Sequence, residues 1–543
     1  MAGLFENLPY VDFHRLNIDW VLHKIKELTA EWETLSHDVS ELDGSFQSLQ
    51  QYVTNYFSNL DLTQEVSDKL DTMASDGDLA AVIAPLINQF YYNVKDFGAK
   101  GDGVTDDSDA IQAAIDAAAA AGGGIVGIPS SSDPFIYSRI MVKDNVTLQG
   151  FGGILKLRDN VCIDNTVAYY TLSNLGCNNG RFVNLIIDQN NATNTSFEVA
   201  DAITCVGANS AVIGCTIYNV VDSGIMFSQV TNGVCIGNRI DGGPDCGIYI
   251  NDGAGGNAYN NIVAFNRITN FTATGIACKR TLTRHIVIGN VIEASNYGIT
   301  FEKAGGGSDS YDDNISFNLL RDIDTTSIRL DNSPHVIIEG NRLENFGSSG
   351  ILLRGDSHHC VVHGNIITRE DAFTVTGTNR SGIMLLGFSN VGPYKNVVTG
   401  NVLDYTTSGF NSIWLIKIPA FTSGGDHNIV RDNICEALLR VDADFEYNDI
   451  GGNICSATPN SIYILGANNN LYNNSVAGSI IGNVDASIPT IYCKIGTRRI
   501  SYGSAAPTTG TWEVGDIVLA SNPSTYLCWV CTAAGTPGTW RAV

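Results

Sequence analysis

Apolar residues fall at Val21, Ile25, Leu28, Trp32, Leu35, Val39, Leu42, Phe46, Leu49, Val53, Tyr56 and Leu60, in steps that alternate four and three. This heptad stripe is only two positions wide, and a single helix cannot bury it alone. It predicts a coiled-coil stalk, because an amphipathic helix lying on its own core shows a broader apolar face. The stripe mixes Val, Ile, Leu and aromatics, so it does not set the number of helices. Ahead of it, LFENLPYVDFHRLNIDW is aromatic-rich and too short for a domain; it reads as a docking peptide. Two more helical stretches, 63–73 and 78–90, follow the stalk.

The pattern changes at NVKDFGAKGDGVTDDSDAIQAAIDAAAAAGGGIVGIP. Thr105 or Asp106 can cap a helix, and Asp106, Asp107 and Asp109 suit its positive end. Gly122–Gly124 ends that helix, and IVGIP is a short strand. A phosphate cradle is a poor reading of GAKGDG, since no Lys-Ser/Thr follows and no buried strand precedes it. Calcium at DGVTDDSD is the rival to a purely structural acidic cluster.

Beyond Ile154 the chain repeats every 20 to 36 residues. The marker is Asn, usually after Gly and before an apolar residue, at Asn238, Asn266, Asn290, Asn318, Asn341, Asn365, Asn401, Asn433 and Asn453, with Asn184 and Cys215 in the same slot earlier. About nine residues later comes a strand-like stretch: SGIMFSQ, CGIYIND, TGIACKR, YGITFEK, TSIRLDN, SGILLRG, SGIMLLG. Each alternates apolar and variable positions, the period of a strand with one buried face. Stacked coils bury such rows against one another, with the Asn forming a ladder at one turn. About eleven coils at roughly 4.8 Å give a rod of about 50 Å. A β-propeller is the rival and would show four strands per blade.

Composition narrows the function classes. Hydrophobic residues are 44%, charged residues 16%, and glycine numbers 56, a β-rich and turn-rich balance. A net charge of −25 argues against a general nucleic-acid or anionic-membrane binder. There is no signal-peptide pattern at the start and no 18-residue apolar run. Thirteen scattered cysteines read as buried thiols of a chain folded in a reducing cytosol. The one CxxC, Cys528–Cys531, lacks a second ligand pair for zinc and reads as a buried strand. No cofactor or metal is predicted.

The segment Val94–Pro129, VKDFGAKGDGVTDDSDAIQAAIDAA…GGGIVGIP, resembles the opening motif of the pectate-lyase-like right-handed β-helices of phage tail spikes and appendages. LPYVDFHRLNIDWVLHKIKEL is similar to the virion-docking end of appendage proteins in short-tailed phages. The resemblance implies an all-β right-handed parallel β-helix, homotrimeric, attached to phage collar or tail proteins through its N-terminus. It also implies a host cell-surface polysaccharide or teichoic-acid-like polymer as partner, bound and depolymerised at the virion tail or collar, after folding in the host cytoplasm. The expected divisions are a docking peptide at 1–20, the coiled-coil stalk and helical neck at 21–92, the β-helix opening and cap helix at 93–150, the β-helix at 151–496 and a small β module at 497–543. That last module, GTW…GDIV…WVCT…GTPGTW, resembles a short domain at the ends of phage tail proteins; its Trp512, Trp529 and Trp540 either pack its core or stack on sugars.

Aligning the strand-like stretches predicts an outward column of Ser228, Asn251, Lys279, Glu302, Asp331 and Arg354, with Asp252, Arg280, Lys303 and Arg329 beside it. Glu302 and Asp331 then meet on neighbouring coils, as an acid and a base for glycoside hydrolysis. Lys279, Arg280, Lys303, Arg329 and Arg354 make a basic patch for an anionic polymer. The same residues also read as a salt-bridged ladder on a solvated face. Asp222 and Asp245, one coil apart, with Asp252 and Asp241 near in sequence, form a second group, for which a turn role is the rival. His358–His359, in RGDSHH, reads as a loop tip or a sugar-binding edge. The calcium and arginine motifs of pectinolytic relatives, and the polygalacturonase signatures, find no match. A non-catalytic receptor-binding virion protein and a bacterial polysaccharide lyase are the alternatives.

Overall fold

In the computed structural model the described residues are 91–543, apart from internal stretches of which the longest are 303–311, 374–379, 418–425, 483–490 and 521–527. The docking peptide and the heptad stripe lie outside the described residues, as do Arg280 and Lys303.

The body is a right-handed parallel β-helix. Its first row is a 15-stranded sheet, one strand per coil, from Tyr91–Asn93 to Asn470–Tyr472. Fifteen rungs at roughly 4.8 Å extend about 70 Å, longer than the repeats suggest, because the opening segment and the last weakly marked coils also stack. The second and third rows are joined in one 25-stranded sheet. They run together in the long strands Arg267–Lys279, Val291–Glu302 and Leu319–Asp331. Pairing along these rows is parallel throughout, which rules out antiparallel propeller blades.

Alternation explains the core. The third row holds Ile225, Ile248, Ile276, Ile299, Ile328 and Ile351 in one continuous register, all fully buried. Each such side chain contributes about 1.5–3 kcal/mol of burial only if the next coil covers it, so the coils stabilise one another. Of the twelve cysteines whose side chains are described, all are free thiols and ten are buried.

The asparagine ladder runs from Asn238 to Asn474. Each side-chain amide donates to the Oδ1 of the next Asn at 2.9–3.0 Å. That Oδ1 also accepts the preceding marker's backbone N–H. The glycine before the marker has its own cause. Gly237, Gly289, Gly340, Gly364, Gly400 and Gly452 sit at φ between 62° and 68°, a left-handed turn that glycine adopts without strain. Asn184 belongs to this left-handed column (φ 51°), not to the ladder. Leu185 fills the ladder slot below Cys215, since Thr216 pairs with Ile186.

The opening stretch forms a 3₁₀ turn, Val94–Phe97, and the helix α1, Ser108–Ala120. Asp106, one of the expected caps, accepts the Ser108 N–H at the start of α1 at 3.1 Å, and Asp109 lies in its first turn, but Asp107 acts elsewhere. Asp107 makes no side-chain capping bond to the helix. It is buried, and its carboxylate accepts the backbone N–H groups of Lys100 and Gly101 at 2.7 and 3.0 Å. Asp102 accepts Val104 and Thr105, and these bonds pull its pKa down to about 2. Asp106 bonds Ser108 and Ser138 and pairs with Arg158. The carboxylates therefore organise the glycine loop.

At the other end, a five-stranded sheet spans Ile491–Ala542. Trp512 is fully buried there and meets Trp540 edge-on at 4.9 Å. Trp512 is thus core, and Trp529 and Trp540 pack half-buried beside it.

Candidate functional site

The outward column of the third row stands in the aligned order. Ser228, Asn251, Lys279, Glu302, Asp331 and Arg354 are register partners on six successive coils. Glu302 and Asp331 are neighbours, joined through a cation. Arg329 contacts Asp331 and lies 3.5 Å from Glu302, while Arg354 reaches Asp331 at 2.6 Å. Burial works against the Arg329 charge, but its bond to Asp331 and the two carboxylates outweigh this and raise its pKa. The cations also lie over rings: Lys279 on Tyr249, Arg329 on Tyr297, Arg354 on Phe388. Such stacking fixes the planes of the guanidinium groups.

Asp222 and Asp245 align one coil apart, and Asp245 accepts the Ser223 hydroxyl at 3.0 Å. A residue not singled out from sequence completes the stack. Asp201 is fully buried, and burial, then Asp222, push its pKa well up. Asp222 accepts the backbone N–H of Ala200 at 3.1 Å. Asp252 lies at the far end of the strand Cys246–Asn251, about 20 Å away along the chain direction, and is no part of this group.

A cleft lies on the second row. Two outward columns flank the buried Ile240, Ile268, Ile292, Leu320, Leu343, Ile367 and Leu403. One column holds Arg239, Arg267 and Arg342; the other holds Asp241, Thr269, Glu293, Arg321, Glu344, Thr368 and Asp404 in register. Together they floor a groove that continues over seven coils, with Arg321 and Asp322 shared by its two halves. Glu293 bridges Arg267 and Arg321 at 2.6 and 3.3 Å, and Arg321 bonds Glu344 at 2.7 Å. These pairs hold the middle of the groove rigid.

Its end differs. Asp404 is exposed and Glu436, on the next coil, is half-buried. Glu436 is the register neighbour of Asp404, and burial, then the Asp404 carboxylate, raise its pKa. A neighbouring carboxylate disfavours the charged form of a carboxyl. This pair was legible in principle: both residues stand three after a ladder Asn, the position of Asp241, Glu293 and Glu344. Phe265 and Phe317 occupy the left-handed turn at the edge of the same row, 66% and 62% exposed.

The fold class is that of the pectate-lyase-like β-helices. Residues 91–318 match the family model described as rhamnogalacturonase A/epimerase, pectate lyase-like. Among particular relatives, the pre-neck appendage protein of Bacillus phage phi29 is 23% identical over 478 residues, covering 82% of this chain and 50% of that protein. Alginate lyase 7 of Azotobacter vinelandii is 53% identical over 77 residues, 12% of this chain and 9% of that protein. The chain therefore spans half the length of the appendage protein and about a tenth of the lyase. The solved tailspike protein of E. coli bacteriophage HK620, in complex with a pentasaccharide, superposes at a TM-score of 0.56 with 14% identity, covering 73% of this chain and 80% of that one. The A-module of A. vinelandii mannuronan C-5 epimerase AlgE6 does so at 0.53 with 19% identity, covering 72% and 100%.

Proposed function

We propose that the chain is a tailspike or appendage subunit of a phage virion that binds a host cell-surface glycan along the second row and depolymerises it. The observation that carries this reading is the groove over seven coils, lined by arginines, carboxylates and threonines and ending at Asp404, whose register neighbour is Glu436. The likeness to an appendage protein and to a tailspike solved with a pentasaccharide supports it. Arginine forks suit uronate or phosphate groups on a polymer such as a teichoic acid. Phe265 and Phe317 stand two rungs apart, about 10 Å, and offer flat faces for sugar rings. Assembly as a homotrimer through the 21–60 stripe, with the N-terminus docked on collar or tail proteins, completes the proposal.

In the chemistry proposed, Glu436 gives its proton to the glycosidic oxygen and Asp404 activates water or attacks directly. Glu302 and Asp331 are the second site: there the polymer would first have to displace Arg329. Purified host cell-wall polymers should be shortened by the native protein, as read by size-exclusion chromatography. Glu436→Gln and Asp404→Asn should each abolish shortening while sparing binding. Native rates in both would sink that site, and loss in Glu302→Gln and Asp331→Asn would move the chemistry to the third row. Binding without shortening by the native protein would favour a non-catalytic receptor-binding role, which the arginine-locked carboxylates of the groove already suit.

A further inference from the structure

Three of the chain's nine histidines meet at one turn. His335 precedes the strand Val336–Glu339, and His358 and His359 precede Val361–His363 on the next coil. The two coils are tied here, since the His335 N–H donates to the His358 carbonyl at 2.9 Å. One ring nitrogen from each histidine lies within 4.8 Å of the others, and the Nδ1 atoms of His358 and His359 are 2.7 Å apart. The rings of His335 and His359 are stacked, 5.1 Å apart and 4° from parallel, with His358 near perpendicular to both. Tyr394 of the following coil stacks on His358 at 4.6 Å.

The column explains how the cluster is held. The residue two before the aligned first-row position is left-handed, and on earlier coils it is Asn209, Asn232 and Asn260, then Arg284 and Asp312, at φ of 55–64°. His335 and His359 take the same conformation at 58° and 54°. Their backbones are thus fixed by the coil, and only their rings distinguish this turn from its neighbours.

We propose that His335, His358 and His359 form a binding site for a divalent transition-metal ion, of the zinc, cobalt or nickel class, which clamps two adjacent coils. Ions of this class sit about 2.0–2.1 Å from imidazole nitrogen, so tetrahedral ligands lie about 3.3 Å apart, between the shortest and longest separations seen here. Small ring rotations suffice. An all-imidazole set favours such ions over calcium or magnesium, which take oxygen ligands. With Nδ1 of His358 on the metal, its Nε2 faces Asp356 Oδ1 at 3.8 Å, the placement that orients a ligating imidazole. Three protein ligands leave a fourth position for water or an outside group.

The full chain, stripped with chelator and dialysed against Co²⁺, should bind one ion per chain at this site. It should show the visible absorption of tetrahedral nitrogen-ligated cobalt, displaced by Zn²⁺ and untouched by Ca²⁺. His335→Asn/His359→Asn restores the residue that other coils carry in this column, so the fold should survive. Binding should weaken at least tenfold, with unfolding of the metal-free proteins unchanged. His358→Phe keeps the stack on Tyr394 and should weaken binding likewise. Cobalt absorption that persists in these variants, or that carries the band of thiolate ligands, would overturn the proposal, as would no binding by the native chain.

Discussion

Asp313 accepts the backbone N–H of His285 at 2.7 Å, and both side chains are buried at a turn where other coils place asparagine, as at Asn261, Asn396 and Asn428. Burial raises the Asp313 pKa to about 7 and lowers that of His285 to about 4. For Asp313 the destabilisation is absent below about pH 4, grows with rising pH and is complete above about 7. Asp313→Asn should therefore stabilise the fold at pH 8, by up to about 4 kcal/mol, and change little near pH 4. Denaturant unfolding at the two pH values checks this; an equal effect at both would refute the ionisation account. His285 acts oppositely, costing stability as pH falls from about 6.5 to 4.

The ladder predicts a position-dependent penalty. Asn318 donates to Val287 O and Asn341 Oδ1 and accepts from Asn290 twice. Asn318→Ala orphans several buried groups and should cost about 3 kcal/mol or more. Asn474→Ala, at the half-buried end of the ladder, should cost clearly less. Similar losses at both positions in thermal unfolding would show that the rungs are not cooperative.

Asp107→Ala removes the acceptor for two backbone N–H groups at a buried site. A loss of about 2–3 kcal/mol is expected, more than a capping residue gives. Glycan binding should be untouched, and a stability change below 1 kcal/mol would return Asp107 to a minor role.

Arg329→Met takes out the cation between Glu302 and Asp331. Two neighbouring carboxylates then face each other with Arg354 alone, and stability should fall by about 3 kcal/mol at pH 7. The loss should shrink when Arg329→Met is combined with Glu302→Gln and Asp331→Asn, which remove the two charges. An equal loss in the combined variant would assign it to lost packing on Tyr297 instead.

Strand alternation made the third-row register legible: the isoleucines and the column from Ser228 to Arg354 could be aligned residue by residue. The rest failed where one residue type serves two geometries. Asparagine suits both the ladder and a left-handed turn, so Asn184 was placed one residue off. Aspartate suits both a helix start and a loop clamp: Asp107 stands at the start of α1 as expected, but its carboxylate serves the glycine loop. Asp404 and Glu436 share the slot three after a ladder asparagine with Asp241, Glu293 and Glu344, so the slot alone does not single them out. His335 and His359 share a left-handed slot whose occupants vary from coil to coil, so their type carries no repeat signal.

Because every ladder asparagine bonds only the rung on either side, the body is divisible. A segment from one marker to the next could be duplicated or excised in the gene, and the cut ends would meet the same donors and acceptors as before. Recombination could thus lengthen or shorten this protein in whole coils, and shuffle the loops it displays, without redesigning what holds it together.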